Sequence, residues 1–275
     1  MSRDRDADAP RLITTSADGA RCELHSSTAM PNASAFLWNR RMMIQMSCRG
    51  FAVARHMQPE PAKYSHAPNL EAATFMQPEQ PYYAHHPGRF VYLRDDESGE
   101  LWSLPYEPVR RRLDRFCFSV GPADFGWEIE VAGLHLDWGL QLPLDDALEL
   151  WTLRVRNVGT TARRISLVPY FSIGYMSWMN QGARHRTELG AIVARSVTPY
   201  QKVEDYPRIA THKDLTFLAY ERAPDAWETR REAFEGEGGL HAPDALREPR
   251  LAGGEADYET PLAALQYALN LAPQA

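Results

Sequence analysis

Between Glu149 and Arg186 apolar and polar positions alternate in two runs and then stop alternating. Trp151, Leu153 and Val155 interleave with Thr152, Arg154 and Arg156, the period of a strand with one buried and one wet face. Asn157 to Thr161 is polar and reads as a turn. The return run, Arg163 to Phe171, sets Ile165, Leu167 and Phe171 at alternate positions around Pro169, and a hairpin would pair both sets of backbone groups most cheaply. Beyond it Gly174, Tyr175, Trp178, Met179 and Asn180 lead to Arg184, His185 and Arg186, with the next strand expected near Leu189. Aromatic and basic groups gathered in one long loop of a β scaffold mark a place where such folds carry function.

The same period recurs along most of the chain. Arg11 to Thr15 and Arg21 to Ser26 flank Ala17, Asp18 and Gly19, a turn signal that predicts an opening hairpin. Phe36 to Met46 and Phe51 to Met57 are longer apolar runs around Cys48, Arg49 and Gly50. Arg89 to Arg94 and Glu100 to Ser103 read as strands about the turn Asp95 to Gly99. Arg115 to Val120, Trp127 to Val131 and Leu134 to Leu142 continue the meander, the last in strict alternation. Gly190 to Val197, Leu215 to Glu221 and Pro261 to Leu271 follow as strands, and one helix is expected over Pro224 to Phe234, stopped by Gly236. From Gln58 to Pro87 prolines and aromatics break any period, which predicts an extended, ordered segment lying over a sheet. About a dozen strands and one short helix make an all-β protein, a large antiparallel β-sandwich.

With 275 residues and 44% hydrophobic content the chain can bury one large core. We expect a disordered lead-in over residues 1–10 and a single domain over residues 11–275. A net charge of -6 and a pI near 5.9 argue against nucleic acid as partner, because phosphate binding needs a clustered basic surface. Cys22, Cys48 and Cys117 have no metal-ligand spacing and read as reduced thiols of a cytoplasmic protein. Met1 to Pro10 is charged and has no apolar core, so neither signal peptide nor membrane anchor is expected.

Candidate chemistry is sparse. Asp95 with Asp96, Asp145 with Asp146, and Glu235 with Glu237 could pose as catalytic carboxylates, but each pair sits at a turn, a strand start or a helix end, where acidic residues solvate the backbone. His85 and His86 lack a third ligand at useful spacing, so no metal is expected. The glycines Gly236, Gly238 and Gly239 follow a helix instead of opening one, and no serine elbow is present. No cofactor is implied.

Six motifs carry a resemblance: Phe36-Leu-Trp-Asn39, Met57-Gln-Pro-Glu-Pro-Ala-Lys-Tyr64, His86-Pro-Gly-Arg-Phe-Val-Tyr-Leu93, Pro169-Tyr-Phe171, Ser177-Trp-Met-Asn180 and Phe234-Glu-Gly-Glu-Gly-Gly-Leu-His241. As a set, over about Leu12 to Leu271, they resemble the N-terminal domain of glycoside hydrolase family 94, the cellobiose-phosphorylase-like and cyclic β-1,2-glucan-synthase-like proteins. The resemblance implies a β-supersandwich of the galactose-mutarotase-like kind, joined in full enzymes to an (α/α)6 barrel. There a carboxylic acid protonates the glycosidic oxygen while phosphate attacks the anomeric carbon with inversion. Phosphate is already a nucleophile, so this scheme needs an acid but no second carboxylate to activate water. The sequence stops at Ala275, before any barrel, so the family's acid and phosphate site have no counterpart to carry over, and the catalytic set is empty.

Two function classes remain. One is a domain that completes the sugar pocket and assembly of a barrel supplied in cis or trans, with a β-linked glucose oligosaccharide as ligand, a second subunit among the partners, and no membrane involved. The other is a free-standing carbohydrate-binding or assembly module. In the resembling phosphorylases the loop after the corresponding strand presents an arginine to the sugar pocket, in some members the neighbour's. That implies Trp178, Asn180, Arg184 and Arg186 as substrate-binding, with Arg186 preferred although the pattern does not separate it from Arg184. The competing reading keeps Trp178 in the core and both arginines solvated.

Overall fold

A computed structural model of the protein describes residues 11–56, 88–173, 181–196 and 214–274. Its strands are β1 (Ile13–Thr15), β2 (Cys22–Leu24), β3 (Ser34–Trp38), β4 (Met42–Ser47), β5 (Ala52–His56), β6 (Arg89–Asp95) and β7 (Leu101–Leu104). Then come β8 (Arg115–Val120), β9 (Asp124–Val131), β10 (Leu134–Gln141), β11 (Leu150–Asn157), β12 (Arg163–Phe171) and β13 (Gly182–Arg186). The chain closes with β14 (Ala191–Ser196), β15 (Asp214–Ala219), β16 (Ala226–Arg230), the helix α1 (Arg231–Glu235), β17 (Ala256–Asp257) and β18 (Pro261–Leu271). All pairings among the described residues are antiparallel, in sheets ordered β1-β2-β8-β9-β10-β11, β16-β18-β12-β6-β7, β15-β14-β13-β17 and β3-β4-β5. The expected antiparallel sandwich is therefore present, with one short helix.

Three apolar clusters hold these sheets. The main core lies among the inward faces of the six-, five- and three-stranded sheets and includes Ile44, Met46, Leu93, Ile129, Leu136 and Ile165. Trp127 is at its centre, with ring centroids 4.9 Å from Phe118 and 4.9 Å from Trp138, and its indole N–H donates to the Cys48 carbonyl at 2.8 Å. Burying that N–H requires such a partner. A second cluster covers the other face of the five-stranded sheet, where Phe90, Tyr92 and Tyr170 meet Phe234 of α1. A third packs Ile192 and Ala194 of β14 against Ala263 and Leu265 of β18. The seven residues of β6 are all buried, because both faces of this strand are covered.

Three sequence expectations are corrected here. Glu149 to Phe171 is not a hairpin: among the described residues β11 pairs only with β10, whereas β12 pairs with β6 and β18 in the opposing sheet. The polar turn carries the chain over the edge of the sandwich, so Trp151 and Leu153 face Ile165 and Leu167 across one core. Asn157 fixes this arch, its amide donating to Thr161 O (2.8 Å) and Ala272 O (2.9 Å) and its Oδ1 accepting from Gly159 N (3.0 Å). Phe36 to Met46 is not one run; Asn39 ends β3 and its Oδ1 accepts from the amides of Arg41 and Met42, both at 2.7 Å, before β4 begins. The expected helix over Pro224 to Phe234 is mostly strand β16, because Ala226, Trp227 and Glu228 pair with Gln266, Leu265 and Ala264 of β18. Only Arg231–Glu235 is helical, and Gly236 stops it as expected, at φ 55. The opening hairpin β1–β2, the β6–β7 hairpin, the β8–β9–β10 meander and β18 lie where the alternation puts them. The expectations for residues 1–10 and for Gln58 to Pro87 lie outside the described residues.

Candidate functional site

Strand order brings many connections to one end of the sandwich. There β6 begins and β12 ends, with Arg89 opposite Phe171, and β10 ends and β11 begins, with Gln141 opposite Leu150. The β3–β4 turn joins them: the Asn39 amide donates to the Pro143 carbonyl and, at 2.8 Å, to the Asp146 carbonyl.

The charged centre of this end is buried. Arg89, 7% exposed, donates from Nε and Nη2 to both oxygens of Glu149 at 2.9 and 2.7 Å, and its guanidinium lies 4.2 Å from the Phe171 ring centroid. Trp151 Nε1 donates to the same carboxylate at 2.9 Å. Burial pushes the Glu149 carboxyl up, but the charge and hydrogen bonds of Arg89 and the Trp151 N–H outweigh it and hold the group below the usual carboxylate range. Arg89 Nη1 is buried without a hydrogen-bond partner among the described residues. Nearby, Glu235 accepts from Arg231 Nε at 2.8 Å and from the Tyr170 hydroxyl at 3.3 Å. Burial first, then the Glu235 charge, pushes the Tyr170 phenol up. Of these groups the sequence reading weighed only Glu235, as a possible catalytic carboxylate beside Glu237, and an arginine at the mouth of the apolar run Phe90 to Leu93 was a usable signal of buried pairing.

Of the four sequence-predicted site residues, Trp178 and Asn180 lie outside the described residues. Arg184 and Arg186 are on strand β13, not in a loop before the next strand. They project from the face opposite to Ala183 and His185, whose side chains pack inward; the His185 ring lies 4.8 Å from Trp227 and its Nε2 is 2.9 Å from the Tyr220 hydroxyl. Arg184 is engaged by Glu255 at 3.0 Å, by Asp257 and by the Ala256 carbonyl at 3.1 Å, whereas Arg186 pairs with the exposed Glu188. The acidic pairs have structural partners too. Asp95 accepts from the amides of Glu97 and Ser98 and pairs with Arg163, which together outweigh burial and lower its pKa. Asp96 pairs with Arg94, and Asp145 with Arg40 at the surface. Cys22, Cys48 and Cys117 are free thiols, and burial pushes Cys48 and Cys117 up to about 11. Among the described residues no helix is long and apolar enough to cross a membrane.

The supersandwich domain of glycosyl hydrolase 94 matches residues 64–275. The chain belongs to this family. Its similarity to a cellobionic acid phosphorylase of Neurospora crassa is 55% identity over 262 residues, covering 95% of this chain and 33% of the relative. A 3-O-beta-D-glucopyranosyl-beta-D-glucuronide phosphorylase of Paenibacillus borealis is 26% identical over 67% of the chain and 24% of its own length. An N,N'-diacetylchitobiose phosphorylase of Vibrio proteolyticus is 24% identical over 54% of the chain and 19% of its own length. The chain thus spans about a third or less of the phosphorylases it matches. Within this glycosyl hydrolase 94 supersandwich several motif residues serve packing: Phe234 is fully buried, Tyr170 stacks in the second cluster, and Asn39 ties a turn to the β10–β11 connection, whereas Phe36 and Trp38 are exposed.

Proposed function

We propose that this chain is the N-terminal domain of an inverting phosphorylase acting on β-linked glucosyl saccharides, where it braces the sugar pocket and holds a catalytic barrel supplied in cis or in trans. The observation that carries this reading is the 55% identity over 95% of the chain with a cellobionic acid phosphorylase. Two of the relatives have a sugar acid in their names, which favours a glucosyl disaccharide ending in a carboxylate as the substrate. Chemistry resides in the barrel: its acid protonates the glycosidic oxygen and phosphate displaces the leaving sugar. The supersandwich supplies shape and hydrogen bonds, with Trp178, Asn180, Arg184 and Arg186 facing the sugar. Arg186 is preferred of the two arginines, since one exposed carboxylate, Glu188, pairs with it, whereas Glu255, Asp257 and the Ala256 carbonyl all hold Arg184. A cytoplasmic location and a second subunit belong to the same reading.

The test is phosphorolysis of cellobionic acid, read as glucose 1-phosphate. The chain alone should be inactive, and the chain joined to or mixed with the barrel of the same protein should be active. Robust turnover by the chain alone would place the acid within it and overturn the reading; inactivity of the reunited parts would favour a binding module. In the active assembly, replacing Arg184 and Arg186 by alanine should raise the KM for the sugar by about tenfold to a hundredfold, the worth of lost charge-assisted hydrogen bonds. Unchanged kinetics would remove β13 from the site.

A further inference from the structure

The outward face of the six-stranded sheet carries a thiol that the main core does not use. Phe116 and Phe118 of β8 point into that core, so Cys117 between them stands on the opposite face, where it is nonetheless buried. Glu128 of β9 is its partner on one side. On the other side β2 pairs Glu23 with Ser119 and Leu24 with Phe118, and the same register carried one step further sets His25 beside Cys117. The His25 amide donates to the Leu12 carbonyl at 2.9 Å, which continues the β1–β2 ladder by one rung. One carboxylate oxygen of Glu23, one ring nitrogen of His25 and the Cys117 sulfur thereby lie within 4.8 Å of one another. His25 Nε2 is 3.6 Å from Glu23 Oε2, and the Thr14 hydroxyl touches both, at 2.7 and 3.1 Å.

We infer that Glu23, His25 and Cys117 form a binding site for one zinc ion, which clips the opening hairpin to β8. Carboxylate, imidazole and thiolate are the donors zinc takes, and tetrahedral bonds of ~2.0–2.3 Å put donor atoms ~3.3–3.6 Å apart. The His25–Glu23 spacing already meets this, and small side-chain rotations bring the sulfur to it. Solvent takes the fourth position, reached past Glu23 and His25, whose side chains are 34% and 32% exposed. The local charge favours a cation. Among the described residues no arginine or lysine is ion-paired with Glu23; burial, then Glu23 and Glu128, pushes the thiol up to about 11, and Arg115 only partly opposes them. Zinc reverses that balance, because the thiol gives its proton to solvent and the sulfur binds as thiolate. Glu128, Glu130 and His135 also converge, but Arg115 already pairs with both of those carboxylates, at 3.1 and 3.7 Å, so the ion goes to the cysteine cluster. Sequence spacing conceals such a site, since its ligands meet across strands.

The probes are zinc and cobalt(II) ions, titrated into the metal-free chain under reducing conditions. One zinc ion should bind per chain with a Kd below about 10 μM and raise the thermal midpoint. Cobalt in the same site should give a thiolate-to-metal charge-transfer band that Cys117→Ser abolishes. His25→Ala should weaken zinc binding by about tenfold or more; His25 is exposed, so this variant keeps the test readable if Cys117→Ser fails to fold. Cys22→Ser, on the other face of β2, and His135→Gln, in the neighbouring cluster, should bind as the unmodified chain does. No stoichiometric binding, or binding without a thiolate band, overturns the inference. Unchanged affinity in His25→Ala overturns it too, as does loss of the site in Cys22→Ser or His135→Gln, which would assign the metal to other residues.

Discussion

Single side chains at the loop-bearing end are constrained by charge burial. Arg89 and Glu149 neutralise each other where neither is well solvated, so removing one strands the other. Arg89→Met should lower unfolding free energy by about 2–4 kcal/mol in urea titrations at neutral pH; a loss within error would show that the pair is dispensable. The pH dependence follows from the sign of the shift. Glu149 is depressed below the ordinary carboxylate range, as is Asp95, so their stabilisation is present above that range and is lost as pH falls below it through the depressed folded-state pKa values. Glu149→Gln should therefore show a shallower acid-side fall than the unmodified protein, and parallel curves would refute the assignment. His185 acts at higher pH: burial lowers its pKa, so below about 6.5 the unfolded chain takes up a proton that the folded chain resists. Stability should fall as pH drops from 7 toward the His185 pKa, and His185→Gln should flatten that segment of the curve.

At the scale of elements, strand positions were legible in the sequence where one face is buried and one is wet, as in β9, β10 and β11, because burial imprints a period of two. Pairing was not legible. Alternation is the same whether a strand returns beside its predecessor or crosses to the opposing sheet, and what separates β11 from β12 is the Asn157 arch and the place β12 takes between β18 and β6. Over β16 the sequence suggests a helix because Pro224 suits a first turn and Gly236 a stop, while pairing to β18 decides the outcome. The candidate site was less legible still, since a buried ion pair such as Arg89–Glu149 joins residues far apart in sequence, and an arginine before an apolar run signals pairing without naming its partner. Helix α1 offers a test of a signal that did hold. Gly236 and Gly239 both have φ near 55 with extended ψ, a region almost confined to glycine, but a Cβ at Gly236 would also meet Asp244 Oδ2 at 2.1 Å. Gly239→Ala should cost about 1–3 kcal/mol from backbone strain alone, and Gly236→Ala clearly more. Equal losses would show that Asp244 yields without penalty.

For the molecule as a whole, the decisive elements are the strands shared between cores. β18 sends Leu262 and Ala264 into the second cluster and Ala263 and Leu265 into the third, and then packs Tyr267, Leu269 and Leu271 against the main core. β6 likewise joins the main core through Val91 and Leu93 and the second cluster through Phe90 and Tyr92. A strand that leaves one cluster must leave the others, which couples them and predicts a single domain that unfolds cooperatively. Leu262→Ala and Leu265→Ala test this, because both side chains are buried and neither belongs to the main core. Each should cost about 2–5 kcal/mol. If the clusters are coupled, near-ultraviolet circular dichroism and tryptophan fluorescence, to which the Trp127–Trp138–Trp151 group of the main core contributes, should shift to the same lower midpoint in each variant. A variant whose fluorescence transition stayed in place while backbone dichroism moved would mean that the main core folds independently of the helix-covered face, and the chain would then be two folding units in place of one.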